Sequence, residues 1–142
     1  MRTIAIIFTL SYISLGQVPS KERAKIPLKN TSWKTNISCF EDEEVVAYEL
    51  SSYPSLTETR SWGYFINFTD STFETHYSAP CGNDCFTSVS GSYTYITGNK
   101  IEVYVASISR GGFCQKKSEY PKKKYGTYEI TATSKGLRLK KV

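Results

Sequence analysis

Tyr64-Phe65-Ile66-Asn67-Phe68-Thr69-Asp70-Ser71-Thr72-Phe73-Glu74-Thr75-His76-Tyr77 reads as a β-hairpin before anything else about the chain is known. Tyr64, Ile66 and Phe68 alternate with Phe65 and Asn67, so every second side chain points to one face. Thr69-Asp70-Ser71 supplies side chains that bond back to their own backbone and favour a turn. Thr72 to Tyr77 then returns. The run is rich in aromatic and β-branched residues, which suit a pleated, half-buried surface.

The same pattern continues on both sides. Toward the C-terminus, Ser92-Tyr93-Thr94-Tyr95-Ile96 turns through Thr97-Gly98-Asn99-Lys100 and returns as Ile101 to Ala106. Gly98-Asn99 offers the positive φ angles that tight hairpins demand. A last hairpin pairs Tyr125 to Ala132 with Leu137 to Lys140 across Ser134-Lys135-Gly136. In it Tyr128, Ile130, Leu137 and Leu139 face one way, and Glu129, Thr131, Arg138 and Lys140 the other. Toward the N-terminus, Trp33 to Cys39 and Val45 to Leu50 read as two further strands, followed by a polar loop from Ser51 to Ser61. Pro80 to Cys85 is expected to be a cysteine-bearing turn, and Arg110 to Lys124 a basic loop. No segment of ten or more residues carries a helical stripe. The expected fold is all-β, an antiparallel up-and-down barrel or a strongly curled sheet of about eight strands; a sandwich is the runner-up. Closure would also remove the exposed edges that such a Tyr-, Thr-, Val- and Ile-rich chain must protect.

The first residues have another purpose. Met1-Arg2 gives a positive start, and an apolar run follows to Leu15, with Ser14 and Gly16 as the small residues a signal peptidase reads. Residues 1–16 are therefore expected to be a signal peptide cut before Gln17, residues 17–29 an N-terminal arm, and residues 30–142 a single domain. The apolar run is shorter than the roughly 20 residues of a membrane span, so the mature protein is expected to be exported, periplasmic or extracellular, and not membrane-spanning. Removing 16 of 142 residues leaves 126, enough for one core. Charge is unevenly spread: Glu41-Asp42-Glu43-Glu44 is acidic, whereas residues 110–142 hold ten basic and two acidic side chains.

Export and an even count of cysteines favour two disulfides among Cys39, Cys81, Cys85 and Cys114. Three pairings are possible. The preferred one joins Cys81 to Cys85 across Gly82-Asn83-Asp84, which leaves Cys39 for Cys114.

The order of these features resembles that of small exported lipocalin-like proteins of bacterial envelopes. The matching pieces are Thr31-Ser32-Trp33-Lys34 opening the first strand, the hairpin from Phe65 to Phe73, Gly91 to Tyr95 turning to Lys100-Ile101, and Gly126 to Ile130 returning as Gly136 to Leu139. The lipocalin signature has a Gly two residues before the first-strand Trp, where this chain has Thr31. The resemblance implies a barrel whose apolar interior holds a small hydrophobic ligand.

Candidate sites follow from the same residues. Trp33, Tyr64, Ile66, Phe68, Tyr93, Tyr95 and Tyr128 are the candidates to line a ligand cavity; the plainer reading is that such rings fill a small core. Cys81 and Cys85 have three intervening residues, against the two of a thioredoxin-type redox centre. His76, Cys81 and Cys85 are conceivable zinc ligands but lack the paired short spacings of zinc sites. His76, the single histidine, has no nucleophile or carboxylate motif beside it and is expected on the solvent face. No enzyme and no cofactor is expected. Lys116-Lys117 and Lys122-Lys123-Lys124 are read first as a solvated loop, with anionic lipid or polysaccharide as the functional alternative. Base-stacking aromatics are too sparse there for nucleic acid. Asn30, Asn36 and Asn67 each begin an N-glycosylation pattern. The leading functional expectation is a non-enzymatic, monomeric lipocalin-like binding module. Its rival is a structural or protein-interaction domain of the envelope with a filled core.

Overall fold

A computed structural model describes residues 25–52 and 61–142; the expected signal peptide and most of the expected arm lie outside these residues. Eight strands form β1 (Thr31–Thr35), β2 (Ala47–Ser52), β3 (Gly63–Phe68), β4 (Thr72–Ser78), β5 (Cys85–Thr97), β6 (Lys100–Gly112), β7 (Lys123–Thr133) and β8 (Gly136–Lys141), and no helix occurs among the described residues. All pairings are antiparallel and the sheet closes on itself. The fold is thus an eight-stranded up-and-down barrel, not a sandwich. Strands β3 to β8 follow one another round the wall, and the ring closes in the order β3-β1-β2-β8, so β1 lies between β2 and β3.

The first hairpin forms as its alternation dictates. Phe68 pairs with Phe73, Ile66 with Thr75 and Tyr64 with Tyr77. The turn is held by Thr69, whose backbone N–H donates to the Thr72 carbonyl at 2.9 Å and whose Oγ1 accepts from the Thr72 N–H at 3.1 Å. The last hairpin also keeps its expected faces. Tyr128, Ile130, Leu137 and Leu139 are buried inside, while Arg138 points out and meets Glu49 of β2 at 2.8 Å. At the middle turn Gly98 alone has a positive φ of 51°. Asn99 serves differently: its Oδ1 accepts from the Ile26 N–H at 2.7 Å and its carbonyl accepts from the Ile130 N–H at 2.7 Å.

The largest departures from the expected boundaries fall at three strand ends. Strands β5 and β6 run for 13 residues each, absorbing Cys85 to Gly91 and Ser107 to Gly112. These extensions carry mostly Ser, Thr, Gly and Arg, with Val89 and Ile108 as the buried apolar pair in register, so their hydrophobic period is faint. Strand β1 stops at Thr35, four residues early, because Asn36 turns the chain: its Oδ1 accepts from the Glu49 N–H at 3.0 Å. Gly91 marks a shift in the β5–β6 register. A Cβ there would sit 2.0 Å from the Tyr104 carbonyl oxygen, so only glycine permits that approach.

Candidate functional site

The place to look for a ligand is the barrel axis, and side chains of the chain itself occupy it. After β1 the backbone folds inward at Cys39-Phe40, with Phe40 at φ 60°. Phe40 is 0% exposed. Its ring stands edge-on to Tyr48 of β2 (centroids 5.1 Å apart), Phe73 of β4 (4.9 Å) and Tyr128 of β7 (5.2 Å). Such edge-to-face geometry is the favourable one for aromatic rings. The Phe40 backbone N–H, which would otherwise be stranded inside, donates to the Tyr48 hydroxyl at 3.1 Å. Tyr48 and Tyr128 face each other with centroids 5.9 Å apart, and the Tyr128 hydroxyl is buried without a hydrogen-bond partner. Burial pushes the Tyr48 phenol far above its ordinary value and the Tyr128 phenol up to about 12.

The opposite end is closed by the segment before β1. The Tyr95 hydroxyl donates to the Ile26 carbonyl at 2.5 Å and accepts from the Leu28 N–H at 3.0 Å. Leu28 is fully buried, and Ile26 packs against the core. Lys25 places its Nζ 3.6 Å from the centre of the Tyr95 ring.

Among the seven candidate lining residues, Ile66, Phe68, Tyr93 and Tyr128 are buried in the core cluster, and Trp33 and Tyr95 pack against it from partly buried positions. Tyr64 stands apart from that cluster with its ring 4.7 Å from Tyr77. Sequence reasoning missed Phe40 and Leu28. Both are single apolar residues in segments without a period, Phe40 just ahead of the acidic run and Leu28 beside Pro27. Clefts of about 520 and 480 Å³ occur among the described residues. One is bounded by Asn67, Thr72, Phe73, Glu74, Ser92 and Tyr104, the other by Lys34, Asn36, Glu49, Leu50 and Lys135.

The cysteines pair otherwise than expected. Cys85 bonds to Cys114, with Cα atoms 4.5 Å apart, while Cys39 is a buried free thiol and Cys81 an exposed one. The expected Cys81–Cys85 and Cys39–Cys114 pairs are both replaced. The reason lies in the unforeseen length of β5 and β6, which sets Cys85 opposite Gly112 and so brings it beside Cys114. Cys39, drawn into the core beside Phe40, cannot reach the rim; burial pushes its thiol up to about 12. A zinc set of His76, Cys81 and Cys85 loses a ligand to the disulfide, and no group of three His, Cys, Asp or Glu side chains that could hold a metal occurs among the described residues. His76 is exposed, its ring stacked 5.0 Å from that of Phe65.

The acidic and basic runs, far apart in the chain, meet at the rim that carries the disulfide. Arg110, at the end of β6, has a side chain only 4% exposed. It reaches Glu41 at 3.3 Å, Glu119 at 2.8 Å and the Lys117 carbonyl at 2.5 Å. Lys123 pairs with Glu43, Lys141 Nζ donates to the Glu43 carbonyl at 2.9 Å, and Tyr125 donates to the Glu41 carbonyl at 3.0 Å. The acidic turn is in this way tied down over the ring that Phe40 fills. Compared with known proteins, the chain matches no family model, no curated protein and no solved structure.

Proposed function

We propose that this protein is an exported, non-enzymatic barrel whose interior is given over to packing and whose work is done by its outer surface, as an interaction domain outside the cytoplasm. The observation that carries this reading is Phe40: a ring delivered from a loop into the barrel centre, fully buried and edge-on to three other aromatic side chains. A small hydrophobic ligand of the lipocalin kind would compete with that ring for the same space. The segment from Ile26 to Leu28 supports the reading from the other end, because its backbone is bonded to Tyr95 and Asn99. The disulfide fits an oxidising compartment.

Mass spectrometry of solvent-extracted protein, purified from its source without detergent, tests this directly. The expected result is no stoichiometric lipid, pigment or other apolar molecule, and a mature mass lacking residues 1–16. A co-purifying apolar molecule at one per chain would overturn the filled-interior reading.

A further inference from the structure

The loop between β6 and β7 (residues 113–122) shows a combination that packing does not explain. Phe113 and Tyr120 are each 72% exposed. They stand in a loop that is firmly held. Cys114 is bonded to Cys85, and the N–H and carbonyl of Glu119 exchange 2.8 Å hydrogen bonds with those of Ile108. The Arg110 N–H donates to Ser118 Oγ at 2.9 Å, and the Arg110 guanidinium holds the Lys117 carbonyl and the Glu119 carboxylate. Large apolar side chains that a rigid loop keeps in water mark an interaction surface. Around them stand Lys116, Lys117 and Lys122, all exposed and without an acidic partner among the described residues. The loop's own carboxylate, Glu119, is taken by Arg110. Val46 and Val142, 64% and 59% exposed, belong to the same rim. Two rim carboxylates, Asp42 and Glu44, are exposed without a basic partner among the described residues, and both belong to the β1–β2 loop.

Resting on the reading that the barrel acts through its outer surface, we infer that this loop docks on an anionic phospholipid bilayer, with Phe113 and Tyr120 entering the interface and Lys116, Lys117 and Lys122 meeting the headgroups. Aromatic rings are favoured at the membrane–water boundary, and lysines near an anionic leaflet add attraction that salt weakens. Two exposed rings flanked by three unpaired lysines set apolar area and positive charge side by side, the pair of features that an anionic membrane interface takes up together.

Co-sedimentation with phosphatidylcholine vesicles, with and without phosphatidylglycerol, tests the inference. The protein is expected to bind the anionic vesicles and to be released by salt. Lys116→Gln/Lys117→Gln/Lys122→Gln should weaken binding by on the order of a hundredfold, at about fivefold per lysine. Phe113→Ser/Tyr120→Ser should weaken it by roughly tenfold or more, while Phe113→Leu retains it. All these positions are exposed, and unchanged urea midpoints check that the variants fold. No binding to anionic vesicles, equal binding to neutral ones, or full binding by Phe113→Ser/Tyr120→Ser would each overturn the inference; the last would indicate a general polyanion surface. Lipid analysis of the protein released by salt separates the two readings. Lipid retained by the detached protein would refute the filled interior and leave surface docking standing.

Discussion

Replacing Phe40 probes the barrel's interior more directly than any other change. The side chain is fully buried and contacts three rings. Truncating a buried phenylalanine to alanine removes about 3–5 kcal/mol, and the aromatic contacts place Phe40→Ala near the upper end of that range. In urea, with a slope of about 2 kcal/mol per molar, this lowers the midpoint by about 2–2.5 M. The backbone adds a second, more selective expectation. At φ 60° a non-glycine residue is strained by about 1–2 kcal/mol, which glycine escapes. Glycine's extra freedom in the unfolded chain offsets about 0.4–1 kcal/mol of this. Phe40→Gly should therefore equal or exceed Phe40→Ala in stability by up to about 1.5 kcal/mol, the reverse of the order at a helix or strand position. Both variants should also gain binding of benzene, observed as a raised urea midpoint when benzene is present. A midpoint shift below about 0.5 M for Phe40→Ala, or a wild-type protein that already binds benzene, would refute the packing assigned to this ring.

Thiol counting under non-reducing denaturation should give two free cysteines. In the native protein, alkylation should label Cys81 at once and Cys39 only on unfolding; a fully oxidised chain would contradict the pairing. Raising the pH should destabilise the fold. Tyr125 and Tyr128 are pushed up to about 12 by burial from an ordinary value near 10, so the stability they confer is complete below about pH 10 and lost as pH rises through 12. Phenolate absorbance following unfolding over that window is the expected signal, and full ionisation near pH 10 with near-UV dichroism intact would disprove it. Arg110→Ala should destabilise by about 1–2 kcal/mol, since its carboxylate partners stay partly hydrated, and hydrogen exchange should accelerate in both the β1–β2 and β6–β7 loops. Unchanged exchange in either would dissociate the two loops. His76→Ala should cost about 1 kcal/mol or less, the value of one exposed stack, by urea titration.

The barrel was legible wherever burial and alternation coincide. Ile66 to Phe73 and Tyr128 to Leu139 could be assigned to strands and faces because Ile66, Phe68 and Phe73, like Tyr128, Ile130, Leu137 and Leu139, turn inward at alternate positions. Cys85 to Gly91 could not. There the ladder to β6 holds the strand with Ser and Thr on it, and backbone hydrogen bonding leaves no mark on side-chain pattern. That one gap carried the wrong disulfide with it, since Cys85 meets Cys114 only when both long strands are drawn in full. The interior site misled for a different reason. Seven aromatic and aliphatic residues look alike whether they surround a ligand or each other, and the deciding residue, Phe40, comes from a loop whose path depends on the finished barrel. The rim was half visible: the acidic and basic runs stood out, but not that Arg110 would lock them together.

Ring closure depends on the seam between β2 and β8, where Ala47 pairs with Lys140 and Ser51 with Gly136. Until Leu137 to Lys141 dock, β2 offers an unpaired ladder, and so does β7. Two chains stalled at that stage can satisfy both by trading their last strands, each supplying β8 to the other. Reciprocal dimers built in this way are the failure to look for when refolding at high concentration, and lengthening the Ser134-Lys135 turn should disfavour them, because a longer hinge lets β8 fold back onto its own β7 and β2 without strain.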